Sequence, residues 1–328
     1  MISLGAAAVR AALRAYTYPY RKRFASLSRS VALKNRPYLP PKGFAFVRER
    51  YGGVPVEKVT PPNAKAGAVL QFHGGGHTAP MNDMYRKAAK RLAANCGCTV
   101  YSIDYRTGAS LVYPAVHDEC CRGYAALCET ALADGNFVAV GDSFGANLLL
   151  SSCLRAREDG LSLPSALVCI CSFLDMAAGG DSYRENAYKD PLYAMPKRFA
   201  FEKYEKNIRR ISPYCGDTPL TNPFLSPAYA DFHKFPKTLI QAGSLETSLS
   251  DSRMLYDGFL RAGVCAELHV FPGMWHDFMY MFPALKESKS AWQEVFRFIT
   301  ANLRSGRKPD EQSGEGCTCA PMESGADE

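Results

Sequence analysis

The sequence has little charge imbalance, little histidine and no basic leader, and each shortage excludes a class of function. Lys and Arg exceed Asp and Glu by only 39 to 32 over 328 residues. The basic residues of 10–42 and 197–210 read as solvated faces, and no recognition motif accompanies them, so a nucleic-acid partner is not expected. The opening MISLGAAAVRAALRAY lacks a basic n-region and is interrupted by Arg10 and Arg14. That argues against a secretory signal, and the stretch is too short and too charged to span a bilayer, so stable membrane insertion is not expected. An amphipathic helix covering a pocket of its own protein is the better reading. Cysteine is not scarce, at twelve. In CICS (169–172) and DECC (118–121), however, it falls within apparent core strands and helices, which predicts free buried thiols in a reducing, cytoplasmic setting. The isolated Cys317-x-Cys319 pair gives no metal site, and no internal repeat is present.

What the chain does have is alternation. Short β-rich runs at 68–72, 99–105, 136–141, 166–172, 237–243 and 267–271 are separated by helical patterns at 83–95, 115–132, 144–158, 248–262 and 285–303. Strands apolar on both faces and joined through helices predict an α/β fold: a mostly parallel central sheet flanked by helices. Two stretches interrupt the pattern, 1–45 and 176–235. Both are expected to form a helical lid over the carboxyl ends of the strands, where open α/β sheets bind ligands. The catalytic core then occupies 46–175 and 236–304, and the polar, Gly/Pro-rich 305–328 reads as a disordered tail.

Chemistry is suggested at three places. Gly141-Asp142-Ser143-Phe144-Gly145 lies between a buried strand and a helix, the setting of a nucleophile elbow, in which small residues clear a tight turn and leave the Ser143 hydroxyl at its apex. A serine needs a base. Of six histidines, His276, in the loop after the strand ELHVF, is the one that reaches the carboxyl edge of the sheet; His269 lies inside that strand, and no strand end positions His117 or His233. The base needs a carboxylate, and Glu246 and Asp251 both follow the strand TLIQAG. Glu246 falls in the strand-end loop and is preferred, whereas Asp251 falls in the next helix, where a carboxylate also serves as a dipole partner. Asp277 adjoins His276, but neighbouring side chains seldom face each other. Finally, HGGG (73–76) follows the first parallel strand. Bare backbone there lets the amides of Gly75 and Gly76, shaped by Gly74 and joined by the amide of Phe144, surround a carbonyl oxygen as it gains charge. His73 reads as structural.

HGGG, GDSFGAN, GSLE and GMWH, in this order and spacing over residues 45–303, resemble the hormone-sensitive-lipase-like group of α/β-hydrolases, which includes bacterial esterases and arylacetamide deacetylases. That resemblance implies a Ser143, Glu246, His276 triad, an oxyanion hole from Gly75, Gly76 and Phe144, and a lid built from the amino-terminal segment and the insertion before the acid strand. It implies a serine carboxylesterase, whose mechanism needs no cofactor or metal; the aromatics of the lid stretch would favour a small-molecule ester with a short- to medium-chain acyl group or a small aromatic group. The sequence departs from the group's common GDSAGG at Phe144 and Ala146, from DPL at the acid and from DYRLAPE at DYRTGAS. Phe144, Tyr183 and Tyr188 are the candidate substrate contacts, with Phe199, Phe201 and Tyr204 as further lid aromatics. An amidase or peptidase using the same triad, a non-catalytic receptor on the same fold and a membrane-surface lipase with interfacial activation are the competing readings, and a homodimer is an open assembly state.

Overall fold

The computed structural model describes residues 2–21, 42–65, 67–192 and 213–304. The sequence-based tail and the lid aromatics Phe199, Phe201 and Tyr204 lie outside them. Eight strands form one sheet: β1 (Ala45–Tyr51), β2 (Val54–Thr60), β3 (Ala68–Phe72), β4 (Thr99–Ile103), β5 (Phe137–Asp142), β6 (Ala166–Ile170), β7 (Thr238–Gly243) and β8 (Ala266–Phe271). Their spatial order is β1-β2-β4-β3-β5-β6-β7-β8. β1, β2 and β4 pair antiparallel, and every other neighbour pairs parallel. All residues of β3, β5, β6 and β7 are buried, which is why these strands read as continuous apolar runs.

The described helices of eight or more residues are α1 (Leu4–Arg21), α2 (Asp83–Cys96), α3 (Ala115–Glu129), α4 (Phe144–Glu158), α6 (Leu249–Arg261) and α8 (Lys286–Asn302), with one-turn helices α5 (Ser182–Glu185) and α7 (Phe278–Met281) between them. Side chains of α3, α4 and α6 pack on one face of the sheet and those of α1, α2, α7 and α8 on the other. Local signals fix the ends of α2: the Asn82 side chain accepts from the Met84 amide at 2.9 Å, and Gly97 leaves the helix in the left-handed region.

The alternation predicts no strand before 68, yet β1 and β2 form a hairpin there. Gly52 and Gly53 both take positive φ, 56° and 78°, as a tight hairpin turn demands. A Cβ on Gly52 would also lie 2.7 Å from the Arg122 carbonyl oxygen.

The order of the strands positions the site. From β3 the chain crosses through α2 to β4 on one side, and from β5 it crosses through α4 to β6 on the other. β3 and β5 are direct neighbours, so the connections diverge and open a crevice at their carboxyl ends. HGGG and the serine turn occupy those two ends.

Candidate active site

Ser143 sits between β5 and α4 with φ 51° and ψ −122°, a conformation an L-residue adopts at a cost of about 1–3 kcal/mol. The turn is held on both sides: the Ser143 amide donates to Ile170 O at 2.9 Å, and Ser143 O accepts from the Phe173 amide at 3.2 Å. The flanking glycines are required by contact. A Cβ on Gly141 would lie 2.6 Å from the Gly145 carbonyl oxygen, and one on Gly145 would overlap the carbonyls of Phe72 and His73. Because backbone supplies those obstacles, Gly145→Ala is expected to destabilise the fold by about 3 kcal/mol and to lower kcat by about 100-fold through misplacement of the turn. Thermal unfolding and ester turnover of the variant check this.

The same contacts join the serine turn to the HGGG loop. The Gly74 amide donates to Asp142 Oδ1 at 3.2 Å, and a Cβ on Gly74 would overlap the Asp142 carboxylate. Gly75 (φ 90°) and Gly76 (φ 61°) both lie in the left-handed region, and a Cβ on Gly76 would meet nothing within 4 Å, so this residue borders open space. Among the described residues, no turn or loop hydrogen bond uses the amides of Gly75, Gly76 or Phe144. His73 is structural, as its sequence position suggested. Its ring stacks on Tyr105 with centroids 4.1 Å apart, and Nδ1 donates to the Gly74 carbonyl at 2.9 Å.

His276 comes from the loop between β8 and α7. Its Nε2 is 2.8 Å from Ser143 Oγ, and its Nδ1 is 2.9 Å from Glu246 Oε2. The other Glu246 oxygen accepts from the Gly243 amide at the end of β7. Gly243 is obligatory for this approach, since a Cβ there would lie 2.5 Å from the Met274 carbonyl oxygen. Asp251 is elsewhere: in the first turn of α6, with Oδ2 accepting from the amides of Leu174 (2.7 Å) and Asp175 (3.0 Å) and from the Tyr183 hydroxyl (3.0 Å). The structure thus brings Ser143, His276 and Glu246 together and leaves Asp251 pinning the loop after β6 to α6.

Residues that sequence reasoning missed hold this arrangement in register. Asn186 Nδ2 donates to the carbonyls of Ser244 (3.1 Å) and Glu246 (2.9 Å). Asp190 Oδ2 accepts from the His276 amide at 3.1 Å. Asp277 also departs from expectation: its backbone turns left-handed (φ 52°) and brings its carboxylate to 3.4 Å from His276 Nε2. The substrate candidates divide. Tyr183 is 1% exposed and its hydroxyl is committed to Asp251 and the Asp175 carbonyl, so it packs between the start of α6 and the loop after β6, while Tyr188 is 46% exposed. The aromatics gathered around Phe144 are instead Tyr214, His77 and His117, with ring centroids 5.3, 6.2 and 6.0 Å from it.

Electrostatics separates the histidines. Burial pushes His73, His77 and His117 down to about 4, so they remain neutral. Burial acts on His276 in the same direction, but Asp277, Glu246 and Asp190 outweigh it and raise its pKa to about 10. Among the described residues no cluster of His, Cys, Asp or Glu is arranged for a metal.

The family model for the α/β-hydrolase fold matches residues 69–280, which contain all three groups of the relay. The chain belongs to the α/β-hydrolase family. LipR of Mycobacterium tuberculosis is 30% identical over 81% of this chain and 84% of its own. An acetyl-hydrolase of Streptomyces hygroscopicus is 28% identical over 78% and 83%. Among solved structures, a hormone-sensitive lipase from a metagenome library superposes with a TM-score of 0.77 at 29% identity, covering 91% of this chain and 99% of that one. The resemblance seen in the motifs to the hormone-sensitive-lipase-like group therefore extends to the whole α/β-hydrolase fold. No helix among the described residues is long and apolar enough to cross a membrane.

Proposed function

We propose that the chain hydrolyses carboxylic esters as a serine carboxylesterase, through an acyl-enzyme on Ser143. The observation that carries this reading is the unbroken relay from Ser143 Oγ to His276 Nε2 at 2.8 Å and from Nδ1 to Glu246 at 2.9 Å. In the neutral ring Glu246 fixes the tautomer with hydrogen on Nδ1, so Nε2 is the nitrogen that acts as base. As Oγ attacks the ester carbonyl, its proton moves to Nε2, and the developing oxyanion is met by the amides of Gly75, Gly76 and Phe144. The imidazolium then protonates the departing alkoxide. A water deprotonated by the same nitrogen attacks the acyl-enzyme and releases the acid. No step calls for a cofactor.

The lid includes α1 and residues 176–192 of the insertion. In support, Thr17 Oγ1 donates to the Pro191 carbonyl at 2.8 Å and Arg14 to the Lys189 carbonyl at 3.2 Å, and Arg10 reaches the Gly273 carbonyl of the histidine loop at 3.5 Å. Substrates carry short- to medium-chain acyl or small aromatic groups. The large ring of Phe144, packed on Tyr214, directly follows the nucleophile where the family commonly has a small residue, and the acetyl-hydrolase among the relatives agrees with a small acyl group. A reducing, cytoplasmic setting is supported by the ten described cysteines, all of them free thiols. The deciding experiment is a p-nitrophenyl ester ladder beside a matched anilide. The expected result is kcat/KM highest between acetate and butyrate, falling by about 10-fold or more toward long chains, with slower anilide turnover. Faster anilide cleavage would make the protein an amidase.

A further inference from the structure

The mechanism above leaves one charged group beside the reacting nitrogen without a task. We propose that Asp277 is a second carboxylate on His276, within ion-pair distance of Nε2 where Glu246 hydrogen-bonds Nδ1, and that it acts as a positioning residue that holds the imidazolium and sets the lowest pH at which the enzyme turns over. The inference rests on the esterase reading, since it concerns the proton which that reaction moves.

The geometry is specific. Asp277 Oδ2 lies 3.4 Å from Nε2, and the two side chains are only 9% and 6% exposed. Adjacent residues meet in this way because Asp277 takes the left-handed region, φ 52° and ψ 27°, at the N-terminus of α7. Among the described residues its Oδ1 has no hydrogen-bond partner, so no structural bond from them consumes the carboxylate there. Every titratable group packed around it bears on its charge. His276 comes from its own loop and Tyr280 from α7. Asp142 comes from the serine turn, Glu246 from the acid loop, Asp190 from the insertion and Cys171 from the end of β6. The Cys171 and Tyr280 protons are held tightly, both groups being pushed up by burial. Burial first and then Asp277 push Asp142 up, while the Gly74 amide and His276 act against them. Burial raises Asp277 to about 6, with His276 acting in the opposite sense, so the carboxylate is ionised at neutral pH and above.

When Oγ–H gives its proton to Nε2, the new N–H bond therefore forms beside an anion. When the proton passes on to the leaving alkoxide, the neutral base is restored, and Asp277 gains and loses no proton over the cycle. Such a group favours the protonated form of His276 in the resting enzyme too. The free-base fraction then grows only as pH rises, and ester turnover is expected to climb toward the alkaline side.

The test is the pH dependence of kcat/KM for p-nitrophenyl acetate, from about pH 5 to pH 10, in wild type and in Asp277→Asn. The acid limb of wild type is expected above the ordinary histidine value of about 6.5, and the variant is expected to move it down by about one unit or more. A variant that lowers turnover at every pH while keeping the wild-type midpoint has lost packing only, and overturns the proposal. Should Asp277→Asn fail to fold, the rate of fluorophosphonate labelling of wild type against pH reads the same ionisation; a midpoint near the ordinary histidine value overturns the proposal, and a higher one supports it. Wild type that turns over no ester overturns the catalytic reading together with this one, whereas an active enzyme with an unshifted limb overturns this one alone.

Discussion

Replacing Ser143 by alanine is expected to lower kcat by a factor of about 10^4 or more and to abolish fluorophosphonate labelling. Ser143 Oγ is the hydroxyl that His276 Nε2 addresses, and it stands in a turn whose backbone is strained into position by two close-packed glycines. The alanine side chain fits the same backbone, so the variant should fold, and its melting temperature should stay close to wild type. Labelling that persists at full strength would place the nucleophile elsewhere. A residual rate above background is expected from the Gly75, Gly76 and Phe144 amides alone, since such donors act on the oxyanion whichever group attacks.

The second large effect separates two carboxylates that compete in the sequence. Glu246→Gln is expected to lower kcat by about 10^3 to 10^4, because an amide neither fixes the Nδ1–H tautomer nor stabilises the imidazolium. Asp251→Asn is expected to keep kcat within several-fold of wild type while losing about 1–3 kcal/mol of stability. Its Oδ2 collects two amides and the Tyr183 hydroxyl in a fully buried position. Steady-state kinetics and thermal unfolding of the two variants read this directly, and the opposite pattern would exchange their roles.

The elements that could be read from sequence are those whose local pattern and final environment agree. β3 has the bounds its apolar run suggests, and α4 spans 144–158 as expected, because strands buried on both faces and helices that begin at a sharp turn announce themselves locally. The hairpin β1–β2 was less visible because β1 is an edge strand with exposed charges, AFVRERY, although the Gly52-Gly53 pair was an available signal. Asn186 and Asp190 could not be found in this way. They act on the backbone of Ser244, Glu246 and His276, and backbone targets leave no trace in residue type or spacing. The surroundings of Tyr183 are equally invisible in the sequence: an aromatic in a lid-like stretch gives no sign of the buried Asp251 carboxylate that its hydroxyl meets. For Asp277, the rule that neighbours face apart fails because a single left-handed residue reverses it.

The fusion of the Gly74 and Gly145 backbones with the opposite loop has a consequence for how such a protein can change. The serine turn and the HGGG loop form one block, in which neither can shift without disturbing the other. On the proposed reading, variation in what is accepted falls to the peripheral segments, α1 and residues 176–192, which can diverge while that block stays fixed.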